Sequence, residues 1–553
     1  MKTINLLVLI LVGSLLIQSF DNPLPKPTAA QYSWHEQGRI MFITYGPATW
    51  QGREYDNHST PLSCINPKAL NTDQWCRVAK SWGAKEILFV AKHVGGFCWW
   101  PTKTTDYNIS HTPYQGGKGD VLGQLSASCK KYGLNLGIYV YPGNDLGSAG
   151  KTKDPSQQAA YNKTYREQLK EVLTRYGDIK EVWFDGSCQI NVKDILQKYA
   201  PNAVVFQGPE ATIRWAGNED GKLSYPAWNS LKRKDLETGV ATEQQSDPNG
   251  DAWAPLEVDV PLYDHYWFWS PVKEKKCLSL NQLMDVYYKS VGYGGVMLLN
   301  ATPDTTGLIP ANDVKLYAQL GKEINRRFGK PLARVEHIKG NLAEIFFQRP
   351  TLINHAIIME DYRQGERIRS YVIEGYIDGQ WKKLTEGISV GRKKIDYFNN
   401  VIVSRVRLRV LQAAATPLIR SFAVYHVTGF IPFKDDKQKD WKVCAEWNSN
   451  AFKDGHLSLK VNLTSFIPEA GQYEIKIIPS ESGKQSELQV DSVALYFQAE
   501  RAQPEFLRKI DTFDYSVNQT QQITKETSTT LVINLSFLSG EGSGGEILIK
   551  KQE

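Results

Sequence analysis

Between residues 34 and 330, short apolar runs alternate with stretches of helical periodicity, and each run stops at a polar or glycine-bearing corner. Arg39 to Tyr45 enters Gly46-Pro47, Glu86 to Ala91 enters Lys92-His93, and Leu134 to Val140 enters Tyr141-Pro142. Further on, Ala203 to Phe206 enters Gln207-Gly208-Pro209, and Gly294 to Leu299 enters Asn300-Ala301. Trp82-Gly83, Tyr132-Gly133 and Tyr176-Gly177 each close a helix ahead of such a run, where glycine suits the left-handed residue that ends a helix. Trp75, Val78, Ala79 and Trp82 recur at helical spacing, as do Tyr165, Leu169, Val172, Leu173 and Tyr176. Unbroken apolar strands separated by such helices predict a parallel sheet covered on both faces. The span is close to the ~250 residues typical of a (β/α)8 barrel with insertions. An open doubly wound sheet is the alternative, but no Gly-rich phosphate fingerprint follows the first strand. The expected fold class is therefore α/β, a (β/α)8-type TIM barrel over 34–330.

Past residue 332 the period changes to two. Val406, Leu408 and Val410 alternate with Arg405, Arg407 and Arg409, and Ile377-Asp378-Gly379-Gln380 is a hairpin signal. A charged stretch from Lys434 to Asp440 reads as a linker, and alternation resumes at Leu457 to Leu463, Tyr473 to Ile477 and Leu531 to Phe537. Two β-sandwich domains, 335–430 and 440–553, are expected to follow the barrel.

The other end of the chain carries an address. Lys2, an apolar stretch from Ile4 to Ile17 and polar Gln18-Ser19 make residues 1–20 a secretory signal peptide, without a nearby Cys for a lipid anchor. An exported protein, periplasmic or extracellular, is expected. No other apolar run approaches the ~20 residues needed to span a bilayer.

Composition narrows the partners. A net charge of +6 is weak for 553 residues, and no basic run resembles a nucleic-acid footprint. Lys273-Glu-Lys-Lys276 reads as a solvated loop. Seven cysteines lie scattered without Cys-x-x-Cys pairs, which removes support for zinc and for a disulfide framework, although a bridge among the barrel cysteines stays open. Fifteen Trp is a high count; most are expected in the core, while exposed aromatic faces are surfaces on which sugar rings stack. Nothing in the chain fixes an oligomeric state.

Among the acids, Asp185 stands out. It ends the run Ile179-Lys-Glu-Val-Trp-Phe-Asp185-Gly186, and the C-terminal tip of a barrel strand is where catalytic groups collect.

Several motifs, in order, resemble glycoside hydrolase family 29, the retaining α-L-fucosidases. They are Val182-Trp183-Phe184-Asp185-Gly186, Ala91-Lys92-His93-x-x-Gly96-Phe97-Cys98-x-Trp100, and Gly208-Pro209 followed by Arg214-Trp215-Ala216-Gly217-Asn218-Glu219. Trp267-Phe268-Trp269 and Asn300-Ala301-x-Pro303-Asp304-x-x-Gly307 fit as well. The 335–430 region is similar to the discoidin-like sandwich that trails such barrels. The resemblance implies Asp185 as nucleophile and Glu219 as general acid/base, with Glu257 as a competitor for the second role. Such chemistry needs one ionised and one protonated carboxyl, about 5–5.5 Å apart. It also implies substrate-binding roles for Glu54, His93, Tyr139 and Arg214, with Trp100, Trp267 and Trp269 as aromatic walls. Two carboxylates suffice for the reaction, so neither metal nor organic cofactor is implied.

The chain departs from the family's pattern in the sugar pocket. Thr44 stands in place of a ligand-binding His, and His93-Val94-Gly95-Gly96-Phe97 replaces His-His-Asp-Gly-Phe. Three readings remain open at this point. The first is exo-acting release of terminal α-L-fucose from an oligosaccharide or polysaccharide. The second is release of α-L-galactose, which adds a C6 hydroxyl, with Thr44 as its new partner. The third is a non-catalytic carbohydrate-binding protein.

Overall fold

The computed structural model describes residues 23–143 and 154–433, and beyond them 442–447, 451–454, 456–463, 471–479, 488–498, 505–506, 519–523, 528–537 and 545–551. The signal-like residues 1–20 and all of the charged linker (434–440) lie outside the described residues.

Eight parallel strands build the barrel: β1 (Arg39–Ile43), β2 (Glu86–Lys92), β3 (Asn135–Val140), β4 (Ile179–Trp183), β5 (Val204–Phe206), β6 (Arg214–Trp215), β7 (Leu256–Val260) and β8 (Val296–Ala301). Hydrogen-bonded neighbours run β5-β4-β3-β2-β1-β8-β7-β6. A parallel bridge between Phe206 and Ile213 brings the two ends of that sheet together, so the barrel is nearly closed. This sequential order rules out the doubly wound alternative, whose strand order reverses at a switch point. Every residue of β2, β7 and β8 is buried, as a sheet covered on both faces requires.

The helices start and stop where local chemistry directs. Asn71 caps α2 (Thr72–Ser81) and Asp120 caps α3 (Val121–Tyr132) by accepting backbone N–H bonds, and Asp154 caps α4 (Pro155–Arg175) ahead of its Pro155. At its far end α3 stops on Gly133, whose φ is +64°. Trp75, Val78 and Ala79 face inward, completely or nearly buried. A capping box of Thr28 and Gln31 opens α1 (Ala29–Gln37), which lies across the N-terminal ends of the strands. From it, Trp34 donates to Glu181 at 2.7 Å, Gln37 to Glu86 at 2.7 Å, and Gln31 to the carbonyls of Thr212 and Trp253. No helix separates β5 from β6, and the β6–β7 connection is a long excursion carrying a small ladder of Ser230–Leu231 against Ala252–Trp253.

A six-stranded antiparallel sheet follows: β9 (Ala333–Lys339), β10 (Leu342–Glu360), β11 (Ile368–Ile377), β12 (Gln380–Gly387), β13 (Lys394–Ala413) and β14 (Leu418–Tyr425), ordered β9-β14-β10-β13-β11-β12. Register shifts interrupt the pairing of the long strands β10 and β13. The two halves of β10 then contribute Ile345 and Ile358 to one core with Ile373, Leu408 and Phe422. The expected hairpin at 377–380 is present, with Asp378 and Gly379 both at positive φ as a type I′ turn needs. Val406, Leu408 and Val410 are buried, while Arg407 and Arg409 emerge on the other face to share Glu374.

This sheet buttresses the barrel. Arg420 pairs with Glu36 at 2.8 Å, Tyr288 hydrogen-bonds His355 at 2.9 Å, and Asn229 donates to Glu366 at 2.6 Å. From Ile431 onward the chain forms a separate compact unit with two four-stranded antiparallel sheets. All seven cysteines are free thiols in this structure.

Candidate active site

A cavity of about 260 Å³ lies at the C-terminal ends of the barrel strands. It is slightly smaller than the ~300–1,000 Å³ of drug-sized pockets, which suits one monosaccharide. Its location follows from how β4 ends. Phe184 N–H still bonds the carbonyl of Phe206 at 3.1 Å. Then Gly186 and Ser187, at φ of 73° and 72°, turn the chain away. Ser187 N–H is anchored on the Gln207 side chain at 3.0 Å. Asp185 is left at the turn, half-buried, with its carboxylate in the cavity.

Tyr139, at the tip of the neighbouring β3, donates to Asp185 Oδ2 at 3.0 Å. Burial pushes the Asp185 pKa above the ordinary carboxylate range, while the Tyr139 hydroxyl and the Gly186 N–H pull it back. The group is thereby oriented, partly dried, and free to present its other oxygen.

Glu219 sits exposed on the loop after β6 and lines the same cavity. It accepts from the Trp267 indole at 3.1 Å. Trp267 is itself held at both backbone atoms: its N–H donates to Glu54 at 2.8 Å, and its carbonyl accepts from Asn300 at 2.9 Å. Thr44 donates to Asn300 at 2.8 Å, and Lys273 pairs with Glu54. The Lys273 segment was expected to be solvated throughout. Lys273 is buried instead, because Glu54 needs a counter-charge, and Lys275 and Lys276 alone face water.

His93 lines the cavity from the corner after β2. Its ring lies nearly parallel to Tyr55 and Tyr139, 6.1 and 5.5 Å away, with the edge of Phe268 at 5.1 Å. Burial lowers its pKa to about 4, so the imidazole is neutral. Its Nδ1 has no hydrogen-bond partner among the described residues, which leaves it available to a hydroxyl. Phe42, Trp183 and Phe206 supply an aromatic floor, with Trp183 stacked on Phe206 at 3.9 Å.

Seven expected site residues thus meet in one place: Asp185, Glu219, Glu54, His93, Tyr139, Trp267 and Thr44. Four do not reach it. Arg214 is buried behind the wall, donating to the carbonyls of Ala254, Thr242 and Trp228 at 3.0, 2.9 and 2.6 Å. Side chains alternate along a strand, so it is Trp215, one residue on, that faces the cavity. Trp100 is fully buried and donates to Glu171 on α4 at 2.8 Å. Trp269 turns to Glu274 at 3.1 Å, leaving Phe268 in the wall. Glu257 lies inside the barrel, fully buried, with the Trp183 indole donating to it at 2.6 Å. Trp183 separates it from the cavity.

Sequence reasoning did not single out Tyr55, Gln207, Trp215, His265, Phe268 or Asp259, all of which line the cavity. The signal for Asp259 was present: it shares a strand face with Glu257 and stands nearer the strand's C-terminal end.

The sequence and the fold of the chain have clear relatives. The model of the α-L-fucosidase family matches residues 28–327. The chain belongs to the α-L-fucosidase family. It is 31% identical over 452 residues to Alpha-L-fucosidase 1 of Arabidopsis thaliana, covering 73% of this chain and 88% of that protein. A solved structure of a candidate α-L-fucosidase from Bacteroides thetaiotaomicron is 34% identical with a TM-score of 0.69, covering 73% of this chain and all (100%) of its own. A glycoside hydrolase family 29 member from an unknown rumen bacterium is 26% identical with a TM-score of 0.68 and covers 96% of this chain and 100% of its own. Membership makes the protein a glycoside hydrolase, and the barrel with trailing β-sandwich is the architecture it shares with these relatives.

Proposed function

We propose that the protein is an exo-acting, retaining α-L-fucosidase that releases terminal α-L-fucose from an oligosaccharide or polysaccharide. The observation that carries this reading is the meeting of Asp185, at a strand tip, with Glu219, on a neighbouring loop, in one monosaccharide-sized cavity. The Asp185 carboxylate attacks the anomeric carbon while the bond to the leaving oxygen breaks and Glu219 delivers its proton there. A glycosyl ester to Asp185 results. The Glu219 carboxylate then takes a proton from water, the water oxygen bonds to the anomeric carbon, and Asp185 leaves. Two inversions return the sugar with its configuration retained. The monosaccharide-sized volume of the cavity supports exo action, and the signal-like residues 1–20 support export to the periplasm or medium.

Hydrolysis of 4-nitrophenyl α-L-fucoside and α-L-galactoside, measured side by side, tests the reading. Higher kcat/KM on the fucoside is expected. Preference for the galactoside would reassign the sugar while keeping the mechanism. Sugar binding without hydrolysis of either would turn the reading into one of recognition alone.

A further inference from the structure

Asp259 stands near the end of β7, and its carboxyl lines the cavity that also holds Asp185 and Glu219. It is only 3% exposed. The Trp215 indole donates to its Oδ1 at 2.6 Å. Its Oδ2 receives no hydrogen bond from another described residue. A carboxyl oxygen that no other described side chain engages, on a residue lining the cavity, is available to a ligand placed there.

The double displacement already has its two carboxyls, so a third must be explained. We propose that Asp259 is a sugar-binding, specificity-determining residue: its free oxygen hydrogen-bonds one hydroxyl of the terminal sugar, and Trp215 fixes its orientation. This rests on the fucosidase reading of the same cavity. Burial, opposed by the Trp215 bond and reinforced by the charges of Glu219 and Asp185, raises the Asp259 pKa to about 8. The acid is then neutral at pH 7 and can donate a proton to a hydroxyl oxygen or accept one. A neutral acid also spares the cavity a third negative charge beside the attacking Asp185.

Calorimetric binding of L-fucose, its 2-, 3- and 4-deoxy analogues and L-galactose to wild type, Asp259→Asn and Asp259→Ala tests the proposal. Wild type is expected to lose about tenfold or more in affinity when one particular hydroxyl is removed or altered. Asp259→Ala should bind L-fucose about tenfold more weakly and be indifferent to that same hydroxyl, while still discriminating the others. Asp259→Asn keeps an oxygen for Trp215 and an N–H for the sugar, and should rescue most of the affinity. A purely structural role predicts equal weakening toward every analogue, and that pattern overturns the proposal, as does wild-type affinity in Asp259→Ala. Should the alanine variant not fold, Asp259→Ser carries the same expectation. Wild type that binds neither sugar would remove the fucosidase reading and this proposal with it. Sugar binding with no hydroxyl coupled to Asp259 would remove the proposal alone.

Discussion

The barrel interior holds carboxyls at two levels, in opposite surroundings. Toward the N-terminal ends of the strands, Glu86, Glu181 and Glu257 are completely buried. Each gives one oxygen to an amide or indole donor: Gln37, Trp34 and Trp183 respectively. Their second oxygens find no such donor. Glu181 lies within hydrogen-bonding reach of both Glu86 and Glu257, so shared protons between neutral acids are the bonds available. At the mouth, Asp185 is half-buried, Glu219 is exposed, and both border a cavity. Desolvation without access holds an acid neutral and makes it part of the core. At Asp185 the Tyr139 hydroxyl and the Gly186 N–H oppose the upward pull of burial, and one side of the group opens on the cavity. Depth along one barrel axis separates an acid enclosed in the core from one that borders the cavity.

Removing the mouth acids should be catastrophic for turnover and mild for folding. For Asp185→Ala we expect kcat on the better nitrophenyl glycoside to fall by about 10⁴ or more, with the melting temperature nearly unchanged. Adding azide to this variant should yield a glycosyl azide of inverted configuration, since only one displacement occurs. A residual rate within about a hundredfold of wild type would take the nucleophile role from Asp185.

Glu219→Ala should cost less, about 10²–10⁴, and more on poor leaving groups than on nitrophenol. Azide should restore turnover and give the azide of retained configuration, because the glycosyl ester to Asp185 still forms. The comparison breaks if Glu257→Ala gives that product instead, for then a fully buried acid would be reaching the substrate.

How much of this arrangement could be read from the sequence depends on the reach of the signal. Strands, helix caps and the turn at Asp378-Gly379 are set by neighbours a few residues apart, and these were legible. Asp185 was legible because a carboxylate ending an apolar run has few other uses. Arg214 was misplaced by one residue, since nothing local fixes which side of the two-residue strand β6 faces inward; three carbonyls far along the chain do. Glu257 and Asp259 share a strand face two positions apart, and only the placement of Trp183 over one and Trp215 beside the other separates their roles. The glycine at 95 shows a compensation of the same long-range kind. At φ of +101°, a Cβ on it would meet the Asp56 carboxylate at 2.4 Å. A carboxylate from elsewhere in the chain thus occupies the space beside the position where the family's pattern has Asp.

The smallest effect to measure concerns stability, and it tests the lower level of the barrel directly. Burial raises the Glu257 pKa from 4.5 to about 8, against the pull of its bonds to Trp183 and Glu181. Glu86 and Glu181 are raised as well, burial again first among the causes. A raised folded-state pKa means that the neutral acid stabilises the native state. That contribution is complete below the unfolded pKa near 4.5 and is lost as pH rises through about 8. Acids held low by arginine, such as Glu323 and Glu374 at about 2, stay ionised across this window and add no slope. Asp313 at about 7 and Glu360 at about 8 do add to it, so the wild-type trend belongs to several groups. Glu257→Gln isolates one of them, because glutamine can still accept from the Trp183 indole and donate toward Glu181 without ever ionising. Melting temperatures at pH 6 and pH 8.5 should therefore differ by a few degrees less in the variant than in wild type, as expected for a change of order 1–2 kcal/mol. An unchanged difference would mean that Glu257 does not titrate in that window, and that its burial alone does not set its charge.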